Sequence, residues 1–158
     1  MAEPRWLVDE MHGRLARYLR FVGYDTEYAR GMNDSAIAER ARHERRTVVT
    51  RDRALARAVA GSVRIDSPVL SAQWGELRRA YPSLRSVPSF DRCTACNGRL
   101  REGPTSSVAG TGVELPPALV ETGGPIFVCE ACGHVYWDGS HTRRVRATLA
   151  EWSGRAPS

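Results

Sequence analysis

The chain has 158 residues, of which 42% are apolar, and a formal net charge of +5 at neutral pH. This length excludes a large multidomain protein and allows one domain of roughly 90 residues with a small module attached. No stretch approaches the ~20 apolar residues of a membrane span, and the charged start lacks the apolar run of a secretion signal. We therefore expect a soluble, cytoplasmic protein.

The basic excess lies in the first part of the chain. Residues 1–90 hold 16 arginines against 11 Asp and Glu residues, whereas residues 91–158 hold 7 of each class. All 23 basic residues are arginine, a side chain that binds phosphate bidentately and stacks on bases. The charge favours a polyanionic partner, although the absence of lysine also fits a codon bias.

Strand and helix signals alternate four times in residues 5–80. The predicted strands are residues 5–8, 24–29, 47–50 and 63–66, and the helices between them are 10–22, 36–44 and 53–60. The first helix has one apolar stripe that includes Met11, and Gly23 marks its end. A fourth helix contains Trp74. This order predicts an α/β fold with a mostly parallel sheet that helices cover on both faces.

The second part of the chain is predicted to be a small module behind a linker at residues 81–91. Residues 101–124 are rich in Gly, Pro, Ser and Thr, which is typical of a mobile loop. Apolar residues at 126–128 and 135–137 predict a hairpin, and a helix follows that Asp138 or Ser140 could cap. We place the domain boundary between residues 88 and 89, giving domains 1–88 and 89–158.

Four carboxylates follow the predicted strands or begin a helix beside them. Asp9 follows the first strand, Asp52 the third and Asp66 the fourth, while Asp34 begins the second helix. Because the carboxyl ends of parallel strands meet at one edge of the sheet, we expect these acids to converge there. Two carboxylates at about 4 Å repel by ~4 kcal/mol at an effective dielectric of 20, and a cation relieves that repulsion. The acids therefore predict a Mg²⁺ or Mn²⁺ site, with a cap role for Asp34 and a turn role for Asp66 as alternatives.

Three arginines are expected near these acids. Arg14 and Arg17 lie one turn apart on the first helix, off its apolar stripe, and Arg51 adjoins Asp52. They could hold the phosphates of an RNA strand; the alternative is an ordinary solvated helix face. Arg143 and Arg144 of the last helix are further candidates for nucleic-acid contacts.

The four cysteines form two pairs, Cys93–x₂–Cys96 and Cys129–x₂–Cys132, and each pair is closely followed by glycine. This spacing predicts a tetrahedral structural zinc site. A redox role for one pair is the alternative. His134 and His141 are substitute ligands that four cysteines make unnecessary.

Several stretches together resemble the Mut-seven C-terminal RNase domain family, a branch of the PIN-like nucleases. They are residues 7–11, 13–20, 23–26, 49–53, 93–97 and 129–141. The resemblance implies a PIN-like three-layer α/β/α domain, metal-dependent hydrolysis of RNA and a zinc ribbon behind the domain. It implies metal ligands at Asp9, Asp34 and Asp52. Asp66 is our candidate for the fourth acidic position, with Glu39 behind it.

Two other functions compete with a ribonuclease that acts on single-stranded RNA. Because the fourth acid has only a loose counterpart, the chain could be a non-catalytic RNA- or ribosome-binding module on a degenerate nuclease fold. It could also be the toxin of a toxin–antitoxin pair, as many PIN-like proteins are. The sequence does not predict the oligomeric state.

Overall fold

A computed structural model describes residues 2–154. Its first part alternates strands and helices, in the order β1 (Trp6–Val8), α1 (Gly13–Phe21), β2 (Thr26–Tyr28), α2 (Asp34–Glu44), β3 (Thr47–Thr50), α3 (Arg53–Ala58), β4 (Val63–Arg64) and α4 (Leu70–Ala80). Its second part contains β5 (Leu100–Gly103), α5 (Pro117–Thr122), β6 (Ile126–Cys129), β7 (Val135–Tyr136) and α6 (Ser140–Trp152). None of the helices in residues 2–154 is long and apolar enough to cross a membrane.

The first four strands form one parallel sheet in the order β2-β1-β3-β4. Alternate strand residues face opposite sides, so Trp6 and Val8 pack in one apolar core with α1 and α4, while Leu7 packs in another with α2 and α3. Helices thus cover both faces of the sheet, and the predicted α/β class with its parallel sheet is confirmed.

The chain reverses its direction of travel across the sheet between β1 and β3. The first connection leads from β1 outward to β2, and the next returns over β1 to β3 on its other side. Neighbouring connections diverge at such a point and leave a crevice beyond the carboxyl ends of the two strands, where ligands of open α/β sheets bind. Asp9 follows β1 at this crevice.

The first helix begins later than expected. The Asp9 side chain accepts the backbone N–H of Glu10 and caps a 3-10 turn at Glu10–His12, so α1 starts at Gly13. The turn places His12 inside and leaves Met11 63% exposed, which contradicts the predicted position of Met11 on the buried stripe. Gly23 ends the helix as expected, with a φ of 91°.

The segment 101–124 has more regular structure than the predicted loop. Strand β5 pairs with β6 in antiparallel register, β6 pairs with β7, and a 3-10 turn and α5 lie between β5 and β6. The predicted hairpin at β6 and β7 is present. The N-cap of the last helix is Gly139, so no side chain caps the helix, and Asp138 instead pairs with Arg146 at 3.4 Å. The expected cap by Asp138 or Ser140 is therefore wrong.

Helix α6 packs against helices α1 and α4, which cover the parallel sheet. Val145 and Leu149 are buried in the same core as Trp6 and Trp74, and the ring of Trp152 lies 4.9 Å from that of Tyr18. The end of the chain thus contributes to the core of its beginning.

Candidate active site and zinc centre

Two of the expected acids are linked through one buried threonine. The side chain of Asp9 accepts a hydrogen bond from the Thr50 hydroxyl at 2.6 Å, and that hydroxyl accepts the backbone N–H of Asp52 at 3.0 Å. The register places Val8 opposite Val49, which sets the residues following β1 and β3 side by side. Asp52 is held further because it caps α3 through the N–H of Leu55 at 2.8 Å.

Asp34 lies at the start of α2, beside α3. It is exposed at the start of α2 and lines a surface cleft of about 310 Å³ together with Leu55 and Ala58 of α3. Asn33, rather than Asp34, caps the helix by accepting the N–H of Ala36 at 2.8 Å. The Asp34 carboxylate is therefore not occupied as the cap.

Asp66 is engaged elsewhere. Its carboxylate forms two hydrogen bonds with Arg64, at 2.8 and 2.6 Å, and no contact in residues 2–154 links it to Asp9 or Asp52. A different acid, Glu76 of α4, accepts the backbone N–H groups of Asp66 and Ser67 at 2.8 and 3.1 Å. Glu76 thus fixes the chain just beyond β4.

His12 is a buried residue of this edge that the sequence analysis missed. It is 1% exposed, and neither ring nitrogen has a hydrogen-bond partner of good geometry within residues 2–154. Burial lowers the pKa of His12 and outweighs the opposite pull of the Asp9 carboxylate, while the charge of Arg51 lowers it further. The buried His12 ring therefore loses its proton more readily than a free imidazole does.

Thr50 joins the Asp9 carboxylate to the backbone of Asp52, and no hydrogen bond or ion pair within residues 2–154 joins Asp34 to either acid. Within residues 2–154, the four cysteines are the single group of three or more Cys, His, Asp or Glu residues whose ligand atoms all lie within 4.8 Å of one another. Asp9, Asp34 and Asp52 do not meet this criterion, so the acidic edge is not a preformed metal cage.

The candidate arginines fall into two groups. Arg14, Arg17 and Arg51 are exposed and form no ion pair within the described chain, and Arg17 lies over the ring of Phe21 at 6.0 Å. Arg143 and Arg144 are exposed at the start of α6, beside the far end of α1 from Asp9. Arg14 and Arg17 lie on the helix that follows Asp9, and Arg51 adjoins Asp52. Arg143 and Arg144 lie on α6, away from these acids in the chain.

The four cysteines lie together and none forms a disulfide. The Sγ atoms of Cys93 and Cys132 are 3.6 Å apart, and those of Cys96 and Cys129 are 3.5 Å apart. Tetrahedral zinc with Zn–S bonds of about 2.3 Å needs S···S separations of about 3.8 Å. The cluster can therefore hold one zinc ion with little movement.

The backbone around the cysteines is shaped for this cluster. A Cβ at Gly98 would lie 2.8 Å from the Cys129 sulfur and 3.2 Å from the Cys96 sulfur, so only glycine fits there. Asn97 adopts a left-handed φ of 69° in the same turn. The second turn uses Gly133, with a φ of 76°. The two short motifs thus carry both the ligands and the turns.

The thiols of the cluster do not ionise alike. Burial opposes ionisation of Cys93, but hydrogen bonds from the Tyr136 hydroxyl and from backbone N–H groups outweigh it and lower the pKa of Cys93 to about 6. Burial, together with the neighbouring sulfurs, raises the pKa of Cys96 to about 12. Four adjacent thiolates need a cation to balance their charge, which is what zinc supplies.

The two histidines near the ribbon differ in position. His134 Nδ1 lies 3.6 Å from the Cys132 sulfur, at the border of the cluster. His141 lies against Phe21, with ring centroids 5.5 Å apart. The cysteine set is complete without either of them.

Comparison with known proteins gives one result that covers almost the whole chain. No curated protein and no solved structure matches the chain significantly. The family model described as the Mut7-C RNAse domain matches residues 4–149. This range includes the acidic edge, the four cysteines and most of α6, and it confirms the resemblance seen in the sequence. The chain belongs to the Mut7-C RNase domain family.

Proposed function

We propose that the chain is a metal-dependent ribonuclease that hydrolyses phosphodiester bonds of single-stranded RNA at its acidic edge. The observation that carries the proposal is the pair Asp9 and Asp52, joined through Thr50 at the crevice between β1 and β3. Membership of an RNase family makes RNA the expected substrate.

The donors at this edge suit a hard cation. Asp9, Asp34 and Asp52 offer only oxygen atoms, which Mg²⁺ and Mn²⁺ prefer to nitrogen or sulfur. Each Asp9 oxygen accepts one hydrogen bond, from Glu10 N–H or from Thr50, and a carboxylate oxygen can accept more. Asp9 and Asp52 would hold the ion, with Asp34 assisting. When bound, such an ion activates water and neutralises charge that develops on the phosphate.

The protein's own groups would position the strand. Thr50 fixes the direction of the Asp9 carboxylate, and the cap on α3 fixes that of Asp52. Arg51, Arg14 and Arg17 have no competing carboxylate partner in the described residues, so their guanidinium groups are available for phosphate oxygens. Water then attacks phosphorus, and the bond to the leaving oxygen breaks.

We further propose that the cysteine cluster is a structural Cys₄ zinc site. Four thiolates complete the tetrahedron and leave no open position for a substrate. The small antiparallel sheet buries little apolar surface, so a metal is the expected source of its stability. The zinc therefore stabilises the ribbon and takes no part in hydrolysis.

The test is cleavage of labelled single-stranded RNA with zinc retained and with Mg²⁺ or Mn²⁺ added or omitted. The double variant Asp9→Asn with Asp52→Asn should lose cleavage by two or more orders of magnitude while keeping its fold. The double variant Glu114→Gln with Glu121→Gln is the matched control, because both carboxylates are exposed between β5 and β6 and form no ion pair within residues 2–154. Full activity of the double variant would refute the assignment.

The second candidate is a non-catalytic RNA-binding module. It is favoured by the engagement of Asp66 with Arg64, because this candidate for the fourth acidic position already has a basic partner. This candidate predicts salt-sensitive RNA binding without cleavage in either metal. Binding that persists after Asp9, Asp34 and Asp52 are all changed to Asn would support it.

A further inference from the structure

A cavity of about 180 Å³ lies where the parallel-sheet domain meets the ribbon. It is bordered by the end of α1, the linker, β7 and the start of α6. Five of its lining side chains carry flat rings: Phe21, Phe90, Tyr136, Trp137 and His141. The cavity contains none of the acidic-edge residues and none of the cysteines, although Tyr136 in its wall contacts the Cys93 sulfur at 3.1 Å.

The rings are held in place by contacts behind the cavity. Phe90 stacks on Phe127 with centroids 4.2 Å apart and planes 4° from parallel. The Tyr136 hydroxyl is fixed by Cys93 and Thr94, at 3.1 and 3.3 Å. The walls are therefore preorganised, and a flat ligand would not have to order them on binding.

Polar groups at the cavity are unused. The Trp137 indole N–H, the Ser140 hydroxyl and the His141 ring have no hydrogen-bond partner in the part of the chain that the structure describes. Helix α6 also starts here without a side-chain cap. A flat ligand with donors and acceptors along its edge would complement this set, whereas a purely aliphatic one would leave the polar groups unpaired.

The charged side chains around the cavity that have no ion-pair partner within residues 2–154 are positive. Two acids that adjoin lining residues in sequence are engaged, since Asp91 is held by Arg85 and Ser89 and Asp138 by Arg146. Arg92 lines the cavity, and the exposed Arg17, Arg143 and Arg144 lie close in sequence to lining residues and form no ion pair within residues 2–154. The arginines around the cavity complement a polyanion.

One face of α1 connects the cavity to the acidic edge. Arg14, Arg17 and Phe21 are spaced by three and four residues and so lie along one side of the helix. The helix begins just after the capped turn at Asp9 and ends at Phe21, a rise of about 12 Å at ~1.5 Å per residue. Two free guanidinium groups thus mark a path from the carboxylates to the aromatic cavity.

We propose that this cavity binds a nucleobase of the RNA strand whose backbone follows α1 to the acidic edge. The base would stack on the rings of Trp137 and Phe21, and its edge would meet His141 and Ser140. Stacking on aromatic side chains is how single-stranded nucleic acids are held with little dependence on sequence. The part of the proposal that concerns the path to the acidic edge rests on the proposed ribonuclease function; base binding by itself does not.

The test compares two labelled strands of about ten nucleotides, one of normal RNA and one with abasic residues. Binding is measured on zinc-loaded Asp9→Asn protein without added Mg²⁺ or Mn²⁺. We expect this Asp9→Asn protein, the parent for the further variants, to bind the normal strand at least about fivefold more tightly than the abasic strand. Trp137→Ala should weaken binding of the normal strand by about fivefold to a hundredfold and lose the discrimination.

His141→Ala gives an independent readout if Trp137→Ala fails to fold, since His141 is exposed and lies outside the apolar core. His141→Ala should reduce, but not abolish, the preference for the normal strand over the abasic strand. His43→Ala, an exposed histidine of α2, is the matched control and should bind both strands like the parent. Equal binding of normal and abasic strands by the parent, or unchanged RNA binding by both cavity variants, would overturn the proposal and leave the cavity to a protein partner.

Cleavage measured separately distinguishes the two proposals. If the native protein cleaves RNA but the cavity variants bind and cleave normally, the base site is refuted and the ribonuclease stands. If the native protein never cleaves but discriminates against abasic RNA, the base site stands and the ribonuclease fails.

Discussion

Thr50 gives the sharpest test of the acidic edge, because one buried hydroxyl holds two acids. Its hydroxyl donates to Asp9 at 2.6 Å and accepts from the Asp52 N–H at 3.0 Å, and the residue is fully buried. Thr50→Val keeps the shape and β-branching of the side chain and removes only these two hydrogen bonds.

The expected cost can be worked from the two bonds. A hydrogen bond to a charged group contributes about 1.5–3 kcal/mol and a neutral one about 0.5–1.5 kcal/mol. Water reaches both partners in part, so we expect a loss of roughly 2 kcal/mol in the free energy of unfolding. For a domain of this size that lowers Tm by about 4–8 °C. If the proposed function holds, kcat for RNA cleavage should fall more than KM changes, because Asp9 loses its orientation.

The assay is thermal and urea unfolding of zinc-loaded protein. Thr47→Val is the matched control, since Thr47 lies on the same strand and its side chain makes no hydrogen bond in residues 2–154. Thr50→Ser keeps the hydroxyl and should retain most of the stability. If Thr50→Val is as stable as Thr47→Val, the hydroxyl does not hold the acids and the reasoning is wrong.

Three further predictions concern the parts around this edge. Because burial lowers the pKa of His12, the folded protein binds fewer protons than the unfolded chain below about pH 6.5, and it loses stability as pH falls. His12→Leu should therefore flatten the decline of Tm between about pH 6.5 and 5. An unchanged slope of Tm against pH would contradict this. Asn97→Ala should destabilise more than Asn97→Gly by about 1–2 kcal/mol in urea unfolding, because glycine adopts the φ of 69° without strain and alanine does not. Equal losses would refute the role of backbone strain. Cys93→Ser should lower zinc content and increase amide exchange in the ribbon, and full zinc retention would disprove the assigned ligand set.

Much of the fold follows from local signals in the sequence. The apolar strand at Trp6–Val8 and the β-branched strand at Thr47–Thr50 each end directly before a polar turn, and both strands are where the pattern predicts them. The cysteine spacing predicts the cluster because each pair supplies its own turn. These features depend on residues that are close in sequence, so the sequence suffices to predict them.

The missed residues depend on distant contacts or on a change in helix type. The expected stripe assumed 3.6 residues per turn from residue 10, but a 3-10 turn has 3.0, so Met11 faces solvent and His12 faces the core. Glu76 reaches back to the N–H groups of Asp66 and Ser67, and no pattern near Glu76 indicates this contact. The sequence could have indicated Thr50, a threonine at a strand end beside Asp52.

The position of α6 could not be predicted from its own pattern. Val145 and Leu149 indicate an apolar face, but periodicity does not say which sheet that face covers. The position of α6 depends on how much apolar surface each part of the protein offers. Helices α1 and α4 present a continuous apolar surface that includes Tyr18 and Trp74. The strands of the ribbon are short and half exposed. Packing on the larger apolar surface is more favourable, because the free energy gained by burial scales with the apolar area removed from water.

The turn that carries the first cysteine pair, residues 93–98 (the zinc turn), contacts the edge of the parallel sheet. Loss of a bound zinc ion would therefore affect the stability of that sheet as well as that of the ribbon. Strand β2 is the edge strand, and the N–H of Thr26 is donated to the Asn97 side chain at 2.9 Å. From the other side, buried Arg20 of α1 donates to the carbonyl groups of Thr94 and Ala95, at 3.2 and 3.0 Å, and to Thr26 at 2.8 Å.

The Asn97 amide also binds Asp25 at 2.8 Å. Burial opposes ionisation of this carboxyl, but hydrogen bonds from Arg46, Asn97 and Arg5 outweigh it and lower the pKa of Asp25. An unfolded zinc turn would therefore leave a buried arginine without its carbonyl acceptors, a carboxylate with fewer donors and an edge strand open to pairing with other chains. A zinc ion held by the four cysteines would therefore stabilise the parallel sheet through β2, although the cysteines lie outside that sheet.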